Sequence, residues 1–199
     1  MTIETPPGFA AIVLAAGQGT RMKSALTKVL HPLCGRAMVT WPVQAALDAG
    51  AERVVVVLGH GREAVEEVLE ERFGDRVSCA LQAEQRGTGH AVECALPALE
   101  GFSGTVVILY GDVPLIEAEA IGALVAARGD GPLSLLTCRA GEPRGYGRIL
   151  RDDGGSVVGI REHRDCSREE LAIDEINPGL YAADAGFLRA AIAGLSSDN

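Results

Sequence analysis

The sequence predicts an α/β fold, a mostly parallel central sheet with helices on both faces. Three observations carry that expectation. Short apolar runs recur at 10–16 (AAIVLAA), 53–58 (RVVVVL) and 105–110 (TVVILY); stretches of helical period lie between them; and the two kinds alternate up to residue 138, the rhythm of buried strands joined by helical crossovers. With 199 residues, 47% of them hydrophobic, the chain can bury roughly two-thirds of its unfolded surface in one core.

The run at 10–16 ends in Gly17 and reads as a buried strand feeding a loop that continues to about residue 35. Residues 37–49 carry Met38, Val39, Trp41, Val43, Ala45, Ala46 and Leu47 with few polar positions. A mostly buried helix is expected there, with Pro42 tolerated in its first turns and Trp41 in the core. A second strand follows at 53–58. Residues 61–73 set Ala64, Val65, Val68 and Leu69 at helical spacing, with Glu63, Glu66, Glu67, Glu70 and Glu71 elsewhere, an amphipathic helix with a solvated acidic face. A strand at 77–81, a helix at 89–99, a strand at 105–110, a helix at 117–127 and a fifth strand at 133–138 complete the alternation. After Arg139 the rhythm changes, and 147–150, 156–161 and 180–183 read as shorter strands between polar segments. No repeat, low-complexity linker or domain boundary is visible, so a single domain over 1–199 is expected.

Composition narrows the function. No stretch reaches the roughly 18 consecutive apolar residues of a membrane helix, and no basic leader precedes the first apolar run, so a cytoplasmic protein without a membrane partner is expected. Cys34, Cys79, Cys94, Cys138 and Cys166 are odd in number and never paired as CxxC, which suggests reduced thiols filling core gaps. A net charge of −9 argues against a nucleic-acid partner and requires any anionic ligand to meet a local cationic pocket.

In open α/β sheets ligands sit outside the carboxyl ends of the strands, so the loops after Ala16, Leu81 and Tyr110 are expected to converge. The first contains Gly17 and Gly19 but has neither the third glycine of a dinucleotide fold nor the spacing of a P-loop. Alone, the glycine pair is equally a tight turn. Arg21 and Lys28 on the same loop favour phosphate: glycine lets backbone N–H groups approach its oxygens, the arginine meets them as a planar fork and the lysine as a point charge. Asp112, just past the strand at 105–110, either caps a turn before Pro114 or anchors magnesium, which binds through one or two carboxylates plus substrate phosphates.

Together, the segments 14–22 (LAAGQGTRM), 28–31 (KVLH), 82–91 (QAEQRGTGHA), 110–115 (YGDVPL), 145–149 (GYGRI), 162–163 (EH) and 175–177 (EIN) closely resemble the uridyltransferase domain of the bacterial bifunctional GlmU family, in order and across nearly the whole chain. The glycine loop is common to sugar nucleotidyltransferases; the QAEQ, GTGH, EH and EIN segments point to the N-acetylglucosamine member. The resemblance implies a Rossmann-like nucleotidyltransferase fold of the GT-A-like type. It also implies transfer of UMP from UTP to N-acetylglucosamine 1-phosphate, giving UDP-N-acetylglucosamine, a cell-wall precursor, and pyrophosphate.

By the same resemblance Leu14, Ala15, Ala16 and Gly17, with Gln82, Gly87 and Thr88, hold the uridine portion. The Gln82 amide can offer both a donor and an acceptor to the uracil edge. Gly147, Glu162 and Asn177, with Tyr110 and Gly111 nearby, hold the amino sugar; Asp112 ligates Mg2+; Arg21 and Lys28 act on the charge of the triphosphate. The phosphate nucleophile is already anionic and calls for no general base, so His31, His60, His90 and His163 are read as structural or contact residues. The chain departs from the family at Gln18 and Thr27, where lysine and proline are usual, and at Pro178, where a small hydroxyl residue is usual. Family members continue into a segment with a second, asparagine metal ligand and a left-handed β-helix that trimerises and carries the acetyltransferase. Neither can be located, so the domain is expected to be C-terminally incomplete and, as a fragment, monomeric. Two alternatives stay open: a nucleotidyltransferase for another sugar 1-phosphate, and a non-catalytic nucleotide-sugar binding domain.

Overall fold

The structure, a computed structural model, describes residues 8–17, 19, 22, 24, 26–59 and 61–195. In chain order the elements are β1 (Phe9–Ala15), β2 (Pro32–Leu33), β3 (Arg36–Ala37), α1 (Thr40–Asp48), β4 (Ala51–Leu58), α2 (Glu63–Phe73), β5 (Val77–Leu81), α3 (Thr88–Ala95), β6 (Thr105–Tyr110), α4 (Ala118–Arg128), β7 (Leu133–Leu135), β8 (Cys138–Arg139), β9 (Gly147–Arg151), β10 (Val157–Arg161), β11 (Glu175–Asn177), β12 (Tyr181–Asp184) and α5 (Ala185–Ala193). They form two compact units, one from the residues up to Ser134 together with those from Ala182 onward, the other from Leu135 to Tyr181. No helix of the described residues is long and apolar enough to cross a membrane.

The first unit holds a six-stranded sheet of order β5-β4-β1-β6-β12-β7. Strand β1 has no polar residue and is buried along its whole length, so only a central position removes both its faces and both its edges from water. It runs parallel to β4 on one side and β6 on the other, with Ile12 opposite both Val55 and Ile108, and β4 pairs in parallel with β5. Helix α1 packs on β4 and α4, and α3 on β1, β4, β5 and α5. The acidic helix α2 buries Val65, Leu69 and Phe73, the apolar stripe that its spacing predicts.

From β1 the chain steps outward to β4 and β5, then returns past β1 to β6. The winding direction therefore reverses between β1 and β6, which leaves a crevice at the carboxyl ends of those two strands. The backbone N–H of Gly111 donates to the Leu14 carbonyl at 2.9 Å, so the chain leaving β6 stays stitched to β1 at this point.

The second unit is a four-stranded sheet of order β10-β9-β11-β8, its neighbouring strands all antiparallel. Arg148 on β9 is 1% exposed and donates to the carbonyls of Pro143 and Tyr146 at 2.7 and 2.6 Å, closing the loop that leads into the strand. The Glu175 carboxylate accepts from Arg151 Nε and Nη2 at 2.9 and 2.6 Å and from the Thr137 hydroxyl at 2.7 Å. The forked contact to Arg151, then the Thr137 hydroxyl, hold its pKa down at about 2.

The alternation of the first unit agrees with the sequence expectation, and four local readings are corrected. The strand expected at 133–138 is two strands in different sheets, β7 and β8; Leu136 N donates to Leu180 O between them, so the chain changes partner there. The helix expected at 89–99 ends as α3, and Leu96–Leu99 tightens into a 3-10 turn, since Pro97 supplies no amide donor. Trp41 is half-buried, its indole N–H on the Leu33 carbonyl at 3.3 Å and the Arg36 guanidinium 3.7 Å over its ring. The cysteines are free as expected but fill no core: Cys34, Cys79 and Cys138 are exposed.

Candidate active site

A cleft of about 530 Å3 opens at the switch point. From β1 and the loop after it come Leu14, Ala15, Ala16, Gly17 and Gly19; from the loop after β5 and the start of α3 come Gln82, Gln85, Gly87 and Thr88; from β6 and its exit come Tyr110 and Asp112. The three loops expected to converge do so. Gly111 lies behind this wall, buried, where a Cβ would stand 3.1 Å from that of Ala15.

Lys28 reaches the cleft from a short 3-10 turn, Lys28–Leu30. The turn is anchored by buried Val29, whose carbonyl accepts from Val39 N at 2.9 Å. Its ammonium donates to Asp112 Oδ2, and both side chains keep about a third of their surface exposed, at 36% and 31%. A pair so placed is a movable charge contact rather than a desolvated structural bridge. Arg21, the other expected cation, lies outside the described residues, as do Gln18 and His60.

Two glycines of the first loop differ in kind. Gly19 has φ 59°, and a Cβ there would sit 2.5 Å from Lys28 Cβ, so the lysine stem occupies the space a side chain would need. Gly17 has no such neighbour within 4 Å. A third position was not singled out from sequence: a Cβ on Gly59 would lie 2.5 Å from the Ala16 carbonyl oxygen. That same carbonyl accepts from Gln85 Nε2 at 2.6 Å, tying the loop after β5 to the loop after β1.

Gln82 is 4% exposed, and its backbone N–H donates to Leu58 O at 2.8 Å, continuing the ladder of β5. Its side-chain Nε2 donates to the Gly87 carbonyl at 3.0 Å and lies 3.2 Å from His90 Nδ1. Of the donor and the acceptor that this amide could offer a base, the donor nitrogen has internal partners and Oε1 is the atom left.

In the second unit the three residues expected to hold a sugar are neighbours. Gly147 on β9 is in register with Asn177 on β11, and a Cβ on Gly147 would lie 3.3 Å from Glu162 Oε1. Asn177 is partly occupied: Oδ1 accepts from Gly179 N at 2.9 Å across Pro178, and Nδ2 donates to the Tyr181 hydroxyl at 2.6 Å.

Among the described residues no group of three or more His, Cys, Asp or Glu is placed to hold a metal. A single carboxylate facing an open cleft, Asp112, suits a cation that keeps most of its water and takes its other ligands from phosphate. Sequence reasoning missed Gln85, Met22, Val29 and Ala91 as cleft residues. Gln85 stands inside the 82–91 segment, yet a loop amide carries no signal of which carbonyl it will reach.

Comparison with known proteins agrees with this geometry. A family profile described as the MobA-like NTP transferase domain matches residues 11–195. The chain is 55% identical over 201 residues to the bifunctional protein GlmU of Sorangium cellulosum, covering 98% of this chain and 42% of that one. It is 55% identical over 192 residues to the GlmU of Pelobacter propionicus, covering 96% and 41%, and 48% identical over 196 residues to that of Corynebacterium glutamicum, covering 96% and 40%. The chain thus spans about two-fifths of the length of these curated relatives. A crystal structure from Bacillus anthracis, described as a glucose-1-phosphate thymidylyltransferase, superposes with a TM-score of 0.79 at 15% identity over 96% of this chain and 77% of the other, which shows a shared fold.

Proposed function

The chain belongs to the MobA-like NTP transferase family, and on that premise we propose that it transfers UMP from UTP to N-acetylglucosamine 1-phosphate in the cytoplasm, giving UDP-N-acetylglucosamine and pyrophosphate. The observation that carries the reading is the cleft at the switch point, where Gln82 and the Lys28–Asp112 pair meet the end of β1. The acceptor specificity rests on the similarity to the GlmU proteins.

In this reading Leu14, Ala15, Ala16 and Gly17 present backbone to the nucleoside and phosphates, Gly87 and Thr88 close the base side, and Gln82 Oε1 accepts from the base. Gly147, Glu162 and Asn177 are the residues assigned to the amino sugar. A phosphate oxygen of the sugar phosphate displaces pyrophosphate from the α-phosphorus of UTP without a covalent intermediate on the protein. The nucleophile is already anionic, so catalysis comes from alignment and charge neutralisation. Lys28 and Arg21 offset the charge on the triphosphate. Asp112 would hold Mg2+, which when bound neutralises phosphate charge.

A pyrophosphate-release assay of this polypeptide with Mg2+ tests the proposal, using UTP, dTTP, CTP and GTP against N-acetylglucosamine, glucose and mannose 1-phosphates. The highest kcat/KM is expected for UTP with N-acetylglucosamine 1-phosphate. A preference for another pair would reassign the substrate, and UDP-N-acetylglucosamine binding in calorimetry without any pyrophosphate release would reduce the chain to a binding domain.

A further inference from the structure

The loop after β5 and helix α3 share a polar chain that takes no part in the phosphoryl transfer. It runs from the Gly87 carbonyl through the Gln82 amide and the His90 ring to Cys94, with contacts of 3.0, 3.2 and 3.8 Å. Its chemistry has one consistent assignment. A carbonyl oxygen can only accept, so the amide atom facing Gly87 is the nitrogen, which settles the orientation of the Gln82 side chain. The second N–H of that nitrogen faces His90 Nδ1, so Nδ1 is the acceptor and the ring proton sits on Nε2. Nε2 in turn faces Cys94 Sγ, one helical turn further along α3, where sulfur is a weak acceptor.

The consequence falls on Oε1. Gln82 is 4% exposed, lines the cleft, and has no hydrogen bond to Oε1 among the described residues. A freely turning amide could offer either end to a base and accept more than one pyrimidine. One pinned by two contacts on its nitrogen offers oxygen only. Uracil carries a donor at N3, whereas cytosine carries a lone pair there and its donor on the exocyclic 4-amino group, so an acceptor that meets N3 is paired by uracil and left unpaired by cytosine.

We propose that His90 is a specificity-determining positioning residue, whose Nδ1 locks the Gln82 amide so that the cleft meets the pyrimidine with an acceptor and favours uracil over cytosine. This rests on the reading of the cleft as the nucleotide site. Its test is the ratio of UTP to CTP affinity, measured by calorimetry on the full polypeptide and on two variants. His90→Leu removes the acceptor and is expected to cut that ratio on the order of tenfold. His90→Asn, which places an oxygen near the Nδ1 position, is expected to restore most of it. A general loosening of the helix would weaken both nucleotides together and leave the ratio in place. An unchanged ratio in folded His90→Leu overturns the lock alone, whereas a parent chain that binds neither nucleotide overturns the site reading with it. Should the leucine variant not fold, the 15N spectrum of the parent decides: a His90 ring with its proton on Nε2 and a bare Nδ1 is expected, and protonation at Nδ1 overturns the assignment.

Discussion

Replacing Gly19 by alanine isolates the part of the phosphate loop that supports Lys28. Two costs can be worked from the geometry. At φ 59° an alanine pays about 1–2 kcal/mol for the left-handed backbone, which for a chain of this size lowers Tm by roughly 2–8 °C. The new Cβ would also stand 2.5 Å from Lys28 Cβ, where ordinary contact begins at 3.4 Å, so one or the other must give by about 0.9 Å. The Lys28 ammonium is held to Asp112 at the far end of that stem, and displacement of a charge-stabilising group by about 1 Å costs on the order of 100-fold in turnover. Pyrophosphate release and thermal unfolding should be recorded side by side for the parent, Gly19→Ala and Gly17→Ala. Gly17 has neither a left-handed φ nor a neighbour within 4 Å, so Gly17→Ala should melt like the parent and lose only nucleotide affinity. If Gly19→Ala keeps kcat within a few-fold of the parent and the same Tm, the steric account of this loop is wrong.

Asp112→Asn keeps the shape of the side chain but removes the charge that faces Lys28, and kcat is expected to fall on the order of 100-fold; turnover within a few-fold of the parent would remove Asp112 from the metal role. Gly59→Ala introduces a Cβ 2.5 Å from the Ala16 carbonyl oxygen at an ordinary φ, so overpacking of about 1–3 kcal/mol should appear in denaturant melts. The Glu175 carboxyl is held down to about 2 in the folded chain, chiefly by Arg151, against roughly 4.3 in an unfolded chain. Its stabilisation is therefore present above the unfolded value and lost as pH falls from there through about 2. Glu175→Gln should lower Tm at pH 7 and narrow the gap to the parent at pH 3; an equal gap at both pH values would exclude this linkage.

The strands of the first unit were readable because they are buried on both sides: runs such as Val54, Val55, Val56 and Val57 admit no other placement. The break between β7 and β8 was not, since Leu136 and Thr137 look no different from strand residues until Leu180 and Glu175 come alongside. Strand β11 is too short for alternation to reveal, and β2 and β3 are joined through Cys34 at φ 49° and Gly35 at φ 78°, a turn that cysteine does not announce. At the site, chemistry-bearing residues stood out by type: Lys28 and Asp112 are where their charges imply. What the letters could not carry was direction. The spent donors of Gln82, the reach of Gln85 to Ala16 and the dependence of Gly19 on the lysine stem are all contacts across the fold.

The Ala16 carbonyl, gripped by Gln85 and closely approached by Gly59, has a further consequence for how a ligand is received. Ala16 after β1 and Gln85 after β5 are fastened to each other at this atom, so these two residues present one preformed edge. A ligand arriving there has little conformational freedom left to quench, and its residence is governed by the contacts it makes rather than by the cost of organising its host.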